Sequence, residues 1–137
     1  MQREQVEPAV AERPVNVDVT TEATYDPQGL WQKGSFALRK LYHDSAKPLM
    51  VIYTSPSCGP CHVLKPQLQR VIKELHGSAQ AVVIDIEADQ EIAEQAEVNG
   101  TPTVQLFHNK TMVKQWRGVK QRSEFKAAIE ACLQAAA

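Results

Sequence analysis

The chain has 137 residues, of which 43% are hydrophobic, and this length predicts one compact domain rather than two. Its 15 basic and 16 acidic side chains leave a formal net charge of −1, so the charge balance gives no case for binding nucleic acid or an anionic membrane. No apolar run has the length of a membrane span. Three cysteines are too few for the disulfide framework of a small secreted domain.

Residues 1–25 contain Pro8, Pro14 and several glutamates, and their valines follow no sustained period. Such a segment cannot bury enough apolar surface to offset the entropy lost on ordering. We therefore predict a disordered linker or tail over residues 1–25, either a tether or a fusion boundary, and a folded domain over residues 26–137. A short edge strand is predicted from Thr24 to Leu30.

The first helix and the first central strand follow. Ser35 is a good N-cap for a helix from Phe36 to about Asp44, and Lys47-Pro48 separates this helix from the next element. Leu49 to Tyr53 is an apolar run rich in β-branched and aromatic residues, which predicts a buried strand. The proline and serines of Thr54 to Ser57 end the strand in a turn.

The next helix begins at about Gly59. Its apolar residues recur with a helical period, and these are Leu64, Leu68, Val71, Ile72 and Leu75. Cys58 therefore lies at the N-terminal edge, where unpaired N–H groups and the positive end of the helix dipole favour a thiolate. Cys61 lies one turn further in, close enough for the two sulfurs to bond. Pro60 costs little in a first turn and stiffens the loop between the sulfurs.

Two elements follow that helix, and one helix closes the chain. Ala81 to Ile86 predicts a second apolar strand, parallel to the first, and Asp89 can cap a short helix after it. Ser123 opens the last helix, whose apolar side includes Cys132. We expect Cys132 to pack in the core and not to act as a resolving cysteine.

Between those helices the sequence predicts a hairpin. Val104 to Phe107 and Met112 to Trp116 predict two strands, joined by the turn His108-Asn109-Lys110, and Gly118 ends the second strand. The order of elements predicts an α/β fold with a mixed central sheet and helices on both faces.

A Cys-x-x-Cys pair beside a βαβ pattern, in a chain with no recognisable signal peptide, predicts a redox pair in a reducing compartment. We therefore expect a cytoplasmic location, or an organelle stroma if a transit peptide has been removed. Three other roles for the pair stay open. It could be an inert structural disulfide, or Cys58-x-x-Cys61-His62 could attach a c-type haem with His62 as an axial ligand. A zinc site would need two further ligands, and no second cysteine pair follows.

Cys58-Gly59-Pro60-Cys61, joined to Thr101-Pro102-Thr103 and to this order of elements, resembles thioredoxin. The resemblance covers about Ser35 to Leu133 and implies a thioredoxin fold with a redox-active Cys58–Cys61 disulfide. It also implies a cis peptide bond before Pro102, and substrate contacts at Thr101, Pro102 and Gly118.

Ala37 to His43, Tyr53 to Pro56, and Ile84 to Glu87 are similar to the thioredoxin module fused to the C-terminus of NADPH-dependent thioredoxin reductase in cyanobacteria and chloroplasts. This similarity implies that the leader is a tether to a reductase that holds FAD and NADPH, with a two-cysteine peroxiredoxin as the favoured recipient of electrons. The chain has no Gly-x-Gly-x-x-Gly fingerprint of its own, so no cofactor is expected on it, nor any metal.

Three positions depart from the thioredoxin pattern. Ile52 lies where the family has a buried aspartate, Val83 where it has the lysine beside that aspartate, and Ser57 where a tryptophan precedes the first cysteine. The resemblance therefore implies that the usual proton acceptor for Cys61 is missing, which leaves water or the substrate to accept that proton.

We predict that Cys58 attacks a target disulfide and that Cys61 resolves the mixed disulfide, which releases reduced target and an oxidised pair. A different class of function is a thioredoxin-fold binding module that holds a partner without turnover. The intact dithiol argues against that class.

Overall fold

The computed structural model describes residues 24–136. Most of the predicted disordered segment, residues 1–23, therefore lies outside the described residues, as does Ala137. In chain order the elements are β1 (Trp31–Lys33), α1 (Ser35–Asp44), β2 (Leu49–Thr54), α2 (Gly59–Glu74), β3 (Gln80–Asp85), α3 (Gln90–Gln95), β4 (Thr103–His108), β5 (Thr111–Arg117) and α4 (Arg122–Ala136).

The five strands form one sheet in the order β1-β3-β2-β4-β5. β1 and β2 both run parallel to β3, whereas β4 pairs antiparallel with β2 and with β5. The predicted mixed sheet and the parallel pairing of its two apolar strands are thus confirmed. The β4–β5 pairing contains a bulge, because Leu106 pairs with Lys114 and Phe107 with Met112, which leaves Val113 without a partner.

Helices cover both faces of the sheet, as predicted. Side chains along a strand point alternately to opposite faces, so β2 contributes to two cores. α2 and α4 enclose the larger core, which includes Met50, Ile52, Leu64, Leu68, Phe125 and Ile129. α1 and α3 cover the second core, which includes Leu41, Val51, Tyr53, Ile84 and Ala93.

The edge strand predicted from Thr24 to Leu30 is wrong, since the strand lies at Trp31–Lys33. The preceding segment forms a turn, in which the Gly29 N–H donates to the Asp26 carbonyl at 2.9 Å. Buried amide side chains hold that turn. The Gln80 Nε2 donates to the carbonyl oxygens of Pro27 at 3.0 Å and Gly29 at 2.9 Å, and Gln32 Nε2 donates to that of Asp26 at 2.7 Å.

Two helix starts differ from the prediction by one residue. Ser35 is the first residue of α1 and not its N-cap, because Gly34 makes the break before it at φ 95° and donates its N–H to the Val83 carbonyl at 2.9 Å. α4 begins at Arg122, one residue before the predicted Ser123. None of the helices within residues 24–136 is long and apolar enough to cross a membrane.

Candidate active site

Three segments meet at one end of the sheet. The turn after β2 carries Cys58, β4 begins just after Pro102, and Gly118 follows β5. Antiparallel pairing brings these ends together, because Tyr53 near the end of β2 pairs with Thr103 at the start of β4. The Gly118 N–H donates to the Pro102 carbonyl at 2.9 Å, so the structure places the predicted site residues on one rim.

Cys58 and Cys61 are joined by a disulfide, with their Cα atoms 5.3 Å apart. Cys58 is the N-cap residue of α2, and its Sγ accepts a hydrogen bond from the Cys61 N–H at 3.2 Å. The Cys58 N–H donates to the Ser55 carbonyl at 3.2 Å, which ties the cysteine to the turn after β2. A sulfur at this position faces N–H groups that have no partner within the helix, and such groups stabilise a thiolate.

The two sulfurs differ in access. Cys58 is 7% exposed and Cys61 is 1% exposed. Gly59 and Pro60 between them are exposed, and a Cβ atom built at Gly59 would meet nothing within 4 Å. Within the described part of the chain, Cys58 is therefore the more accessible cysteine of the pair.

The Thr101–Pro102 peptide bond is cis. Pro102 is buried and Thr101 is half-buried, so the loop presents Thr101 at the rim. The Thr103 hydroxyl donates to the Gly100 carbonyl at 2.8 Å, which holds the loop in a tight turn ahead of β4. Pro102 has no N–H, so the loop offers no donor at that residue.

Two exposed apolar residues near the rim were not identified from the sequence. Val63 is 59% exposed on the second turn of α2, and Val119, next to Gly118, is 44% exposed. The signal was available, since Val63 interrupts the polar side of an amphipathic helix. His62 is exposed on the same helix and lines a cavity of about 300 Å³ with Lys65, Val83 and Asp85.

Ile52 and Val83 lie in the larger core beneath α2, together with Leu64 and Leu68. The core therefore has two aliphatic side chains at the positions where the thioredoxin pattern has an aspartate and a lysine. Cys132 is a free, buried cysteine on α4, and burial raises the pKa of its thiol. Within residues 24–136 no cluster of three or more His, Cys, Asp or Glu side chains could hold a metal ion.

The family model described as Thioredoxin matches residues 33–131. The chain belongs to the thioredoxin family. It is 54% identical over 99 residues to NADPH-dependent thioredoxin reductase 3 from Arabidopsis thaliana, a match that covers 72% of this chain and 19% of that protein. It is 30% identical over 87 residues to the mitochondrial thioredoxin of Bos taurus, covering 64% of this chain and 52% of that protein. The chain thus spans about a fifth and about half of these two relatives.

Solved structures agree with the fold. A point mutant of the thioredoxin from Halobacterium salinarum NRC-1 superposes with a TM-score of 0.67 at 26% identity, covering 79% of this chain and 94% of that one. Chloroplastic thioredoxin z superposes with a TM-score of 0.69 at 19% identity, covering 78% of this chain and 96% of that one, and it supports the fold alone.

The chain is thus a thioredoxin-like disulfide oxidoreductase domain, and the bonded Cys58–Cys61 pair fits a redox-active site. The alternative of haem attachment is not retained, because the family model that spans Cys58, Cys61 and His62 is that of thioredoxin.

Proposed function

We propose that this chain is a dithiol reductant that takes electrons from an NADPH- and flavin-dependent reductase and passes them to disulfides of target proteins. A two-cysteine peroxiredoxin is the recipient that we propose first. One observation carries the proposal: the cysteine pair lies at the start of α2 in a domain 54% identical to part of a protein named NADPH-dependent thioredoxin reductase 3.

The reaction has two exchange steps. The Cys58 thiolate attacks one sulfur of the target disulfide, the target S–S bond breaks, and the released target thiolate takes up a proton. The Cys61 sulfur then attacks Cys58 Sγ, the mixed disulfide breaks, and the second target sulfur leaves as a thiol. The target gains two electrons and two protons, and the Cys58–Cys61 disulfide re-forms. The reductase then returns two electrons to the pair.

The difference in access between the sulfurs supports this division of roles. Cys58, at 7% exposure, can reach a target, whereas Cys61, at 1%, can reach little beyond Cys58. The Cys61 N–H, 3.2 Å from Cys58 Sγ in the disulfide form, is placed to stabilise the attacking thiolate. Ile52 and Val83 supply no proton acceptor, so we assign the Cys61 proton to water or to the leaving target sulfur.

The rim supplies the proposed binding site for the target. We assign Thr101, Pro102 and Gly118 to an extended target segment, with the Thr101 backbone carbonyl and N–H pairing to it as a strand would. Gly59 and Pro60 carry no large side chain, so they leave room for the target segment beside Cys58. The exposed side chains of Val63 and Val119 add apolar surface beside this path.

FAD and NADPH belong, in this proposal, to the reductase. Residues 1–25 would be its tether if the two are fused, and the cytoplasm or a chloroplast stroma would be the location. No nucleic acid or membrane takes part.

The test follows NADPH consumption by the purified chain with a separate thioredoxin reductase and either insulin or a two-cysteine peroxiredoxin as acceptor. Cys58→Ser and Cys61→Ser should each abolish turnover, and Cys132→Ala, which keeps the pair intact, should leave it unchanged. Cys61→Ser should also accumulate a mixed disulfide, visible as a mass increase that dithiothreitol removes.

The outcomes separate the alternatives. Turnover with the peroxiredoxin that both serine variants lose supports the proposal in full, and turnover with insulin alone removes the peroxiredoxin assignment. Equal NADPH consumption with the wild type and the serine variants would contradict the dithiol mechanism. Binding of targets with no turnover, even when a reductase is tethered at Met1, would favour the binding module.

A further inference from the structure

A chain of hydrogen-bonded polar side chains joins β2, β4 and β5 on the face of the sheet opposite α2. The Tyr53 hydroxyl donates to Gln105 Oε1 at 3.1 Å. The Gln105 Nε2 donates to Gln115 Oε1 at 2.7 Å and to the Ala96 carbonyl at 3.2 Å. Tyr53 and Gln105 are each 2% exposed, so the bond between them is buried, whereas the bonds of Gln105 to Gln115 and Ala96 are partly buried. Both hydrogens of the Gln105 amide nitrogen are thus engaged.

Three residues of this network, Tyr53, Ala96 and Gln105, are close in sequence to Cys58 or to the loop that contains Thr101. Tyr53 lies on β2, five residues before Cys58, and pairs with Thr103 directly after Pro102. Ala96 is the C-cap residue of α3 and precedes the loop that contains Thr101. Gln105 lies on β4, just beyond the same loop.

Gln105 therefore joins the two ends of the loop 97–102 and attaches both to β2. Other bonds hold the loop locally: the Val98 N–H donates to the Ala93 carbonyl at 2.9 Å, and the Thr103 hydroxyl to that of Gly100 at 2.8 Å. Within residues 24–136, the Tyr53–Gln105 hydrogen bond connects Gln105, which holds both ends of the loop, to β2. It adds to the backbone pairing of β2 with β4.

We propose that Tyr53 and Gln105 are positioning residues that fix the Thr101–Pro102 loop relative to Cys58 and so set the affinity for protein disulfides. This inference rests on the proposed function. The surrounding core is apolar, and an aliphatic side chain would fill the position of Gln105 without needing a partner. A buried amide with all its donors engaged instead accepts one arrangement of its neighbours, because every alternative leaves a polar group without a partner.

The Tyr53 hydroxyl keeps its donor role over the working range of such a protein. Burial raises the pKa of Tyr53 to about 12, so the phenol stays protonated at neutral and moderately alkaline pH. The affinity for a protein disulfide that binds the loop as an extended segment depends on the position of the loop. The reaction of a small disulfide such as 5,5′-dithiobis(2-nitrobenzoate) does not, because it needs Cys58 alone.

The test compares KM and kcat of Tyr53→Phe, Gln105→Leu and the double variant with a protein disulfide and with 5,5′-dithiobis(2-nitrobenzoate). Tyr53→Phe should raise KM for the protein disulfide about three- to tenfold, the effect of one lost hydrogen bond. Gln105→Leu should raise it at least as much, because it also loses the bonds to Gln115 and Ala96. The double variant should resemble Gln105→Leu, because that substitution already removes the bond to Tyr53. The small disulfide should react at the wild-type rate.

Tyr42→Phe is the matched control. Tyr42 also packs on the face of α1 and α3, and its hydroxyl donates to the Lys110 carbonyl at 3.0 Å, so this variant loses one tyrosine hydrogen bond remote from the loop. It should leave KM for both disulfides unchanged. Amide hydrogen exchange at Gly100, Thr101 and Thr103 should quicken in Tyr53→Phe and not in Tyr42→Phe.

An unchanged KM for the protein disulfide in Tyr53→Phe would overturn the positioning role, as would equal slowing of both disulfides or loop exchange as slow as in the wild type. Should Gln105→Leu fail to fold, Tyr53→Phe and its exchange rates decide alone. A wild-type chain that reduces neither disulfide would overturn the proposed function as well, which distinguishes the two failures.

Discussion

Ile52 on β2 and Val83 on β3 are direct partners across two parallel strands, and both side chains lie in the core beneath the active-site helix. They are 1% and 6% exposed. Because two aliphatic side chains occupy these adjacent positions, the core behind the cysteines holds no charge there. A charge introduced at Ile52 should therefore change the free energy of unfolding.

Ile52→Asp should lower the free energy of unfolding, and more so as pH rises. Burial in an apolar core raises the pKa of the introduced carboxyl above its value of about 3.9 in the unfolded chain, by up to about 3–5 units. The folded state then holds a proton that the unfolded state releases, so stability falls as pH rises from about 4 toward the raised pKa. Urea unfolding should show a loss at least about 2 kcal/mol larger at pH 8 than at pH 5.

Ile52→Asn is the control for that experiment. It places a polar group of similar size in the same core but does not titrate, so its loss of stability should be the same at both pH values. A pH-independent loss in Ile52→Asp would mean that the carboxyl reaches solvent, and would contradict the burial of this position.

Tyr53 should titrate well above the ordinary range of a tyrosine, because burial raises its pKa. Its pKa is raised by burial from 10.0 to about 12, so absorbance at 295 nm should show one phenol ionising near pH 12 that is missing in Tyr53→Phe. The folded pKa lies above the unfolded one, so the stability linked to this group is complete below pH 10 and is lost as pH rises through 12. An alkaline step that persists in Tyr53→Phe would assign it elsewhere, for instance to Tyr25, whose pKa burial also raises.

Cys132 should behave as a core residue and not as a redox partner. It is 8% exposed, and burial raises the pKa of its thiol. Iodoacetamide should therefore leave it unlabelled in the folded, oxidised protein and label it in urea. Cys132→Ala should cost about 1 kcal/mol of stability, the size of a small core deletion, with no change in turnover. Reduced turnover would show that Cys132 takes part in the exchange.

The β4–β5 turn should be improved by a glycine. Asn109 and Lys110 have φ values of 53° and 67°, as a type I′ hairpin turn requires, and lysine adopts that region at a cost. Lys110→Gly should raise the free energy of unfolding by about 0.5–1 kcal/mol, measured by urea unfolding. Lys120→Gly serves as a control at an exposed loop residue outside that region and should not stabilise. Equal effects of the two substitutions would contradict the strain at Lys110.

Local pattern was sufficient to predict the elements that carry the chemistry. The apolar run of β2, the turn after it and the helical period from Leu64 onward place Cys58 at the start of α2, because each depends on neighbours in sequence. The second parallel strand and the hairpin are equally local. The resemblance to thioredoxin then supplied Thr101, Pro102 and Gly118, which lie far from Cys58 in sequence and join it through strand pairing.

What the sequence did not predict depends on partners distant in the chain. Gln80 and Gln105 look like surface residues by composition, yet each is 2% exposed because its amide finds carbonyl or hydroxyl partners in other segments. The first strand was placed too early for the same reason. A strand was predicted from Thr24 to Leu30, but the amides of Gln80 and Gln32 hold Asp26 to Gly29 in a turn.

The bulge between β4 and β5 bears on how the domain behaves at high concentration. β5 is an edge strand with Met112 and Val113 about half exposed, the kind of border on which a neighbouring molecule can add a strand of its own. At Val113 the regular alternation of donors and acceptors is broken, and the charged side chain of Lys114 follows immediately. The bulge and the charge each disfavour the addition of a further strand at this edge. The ends of the strands, where the redox rim lies, carry no such barrier.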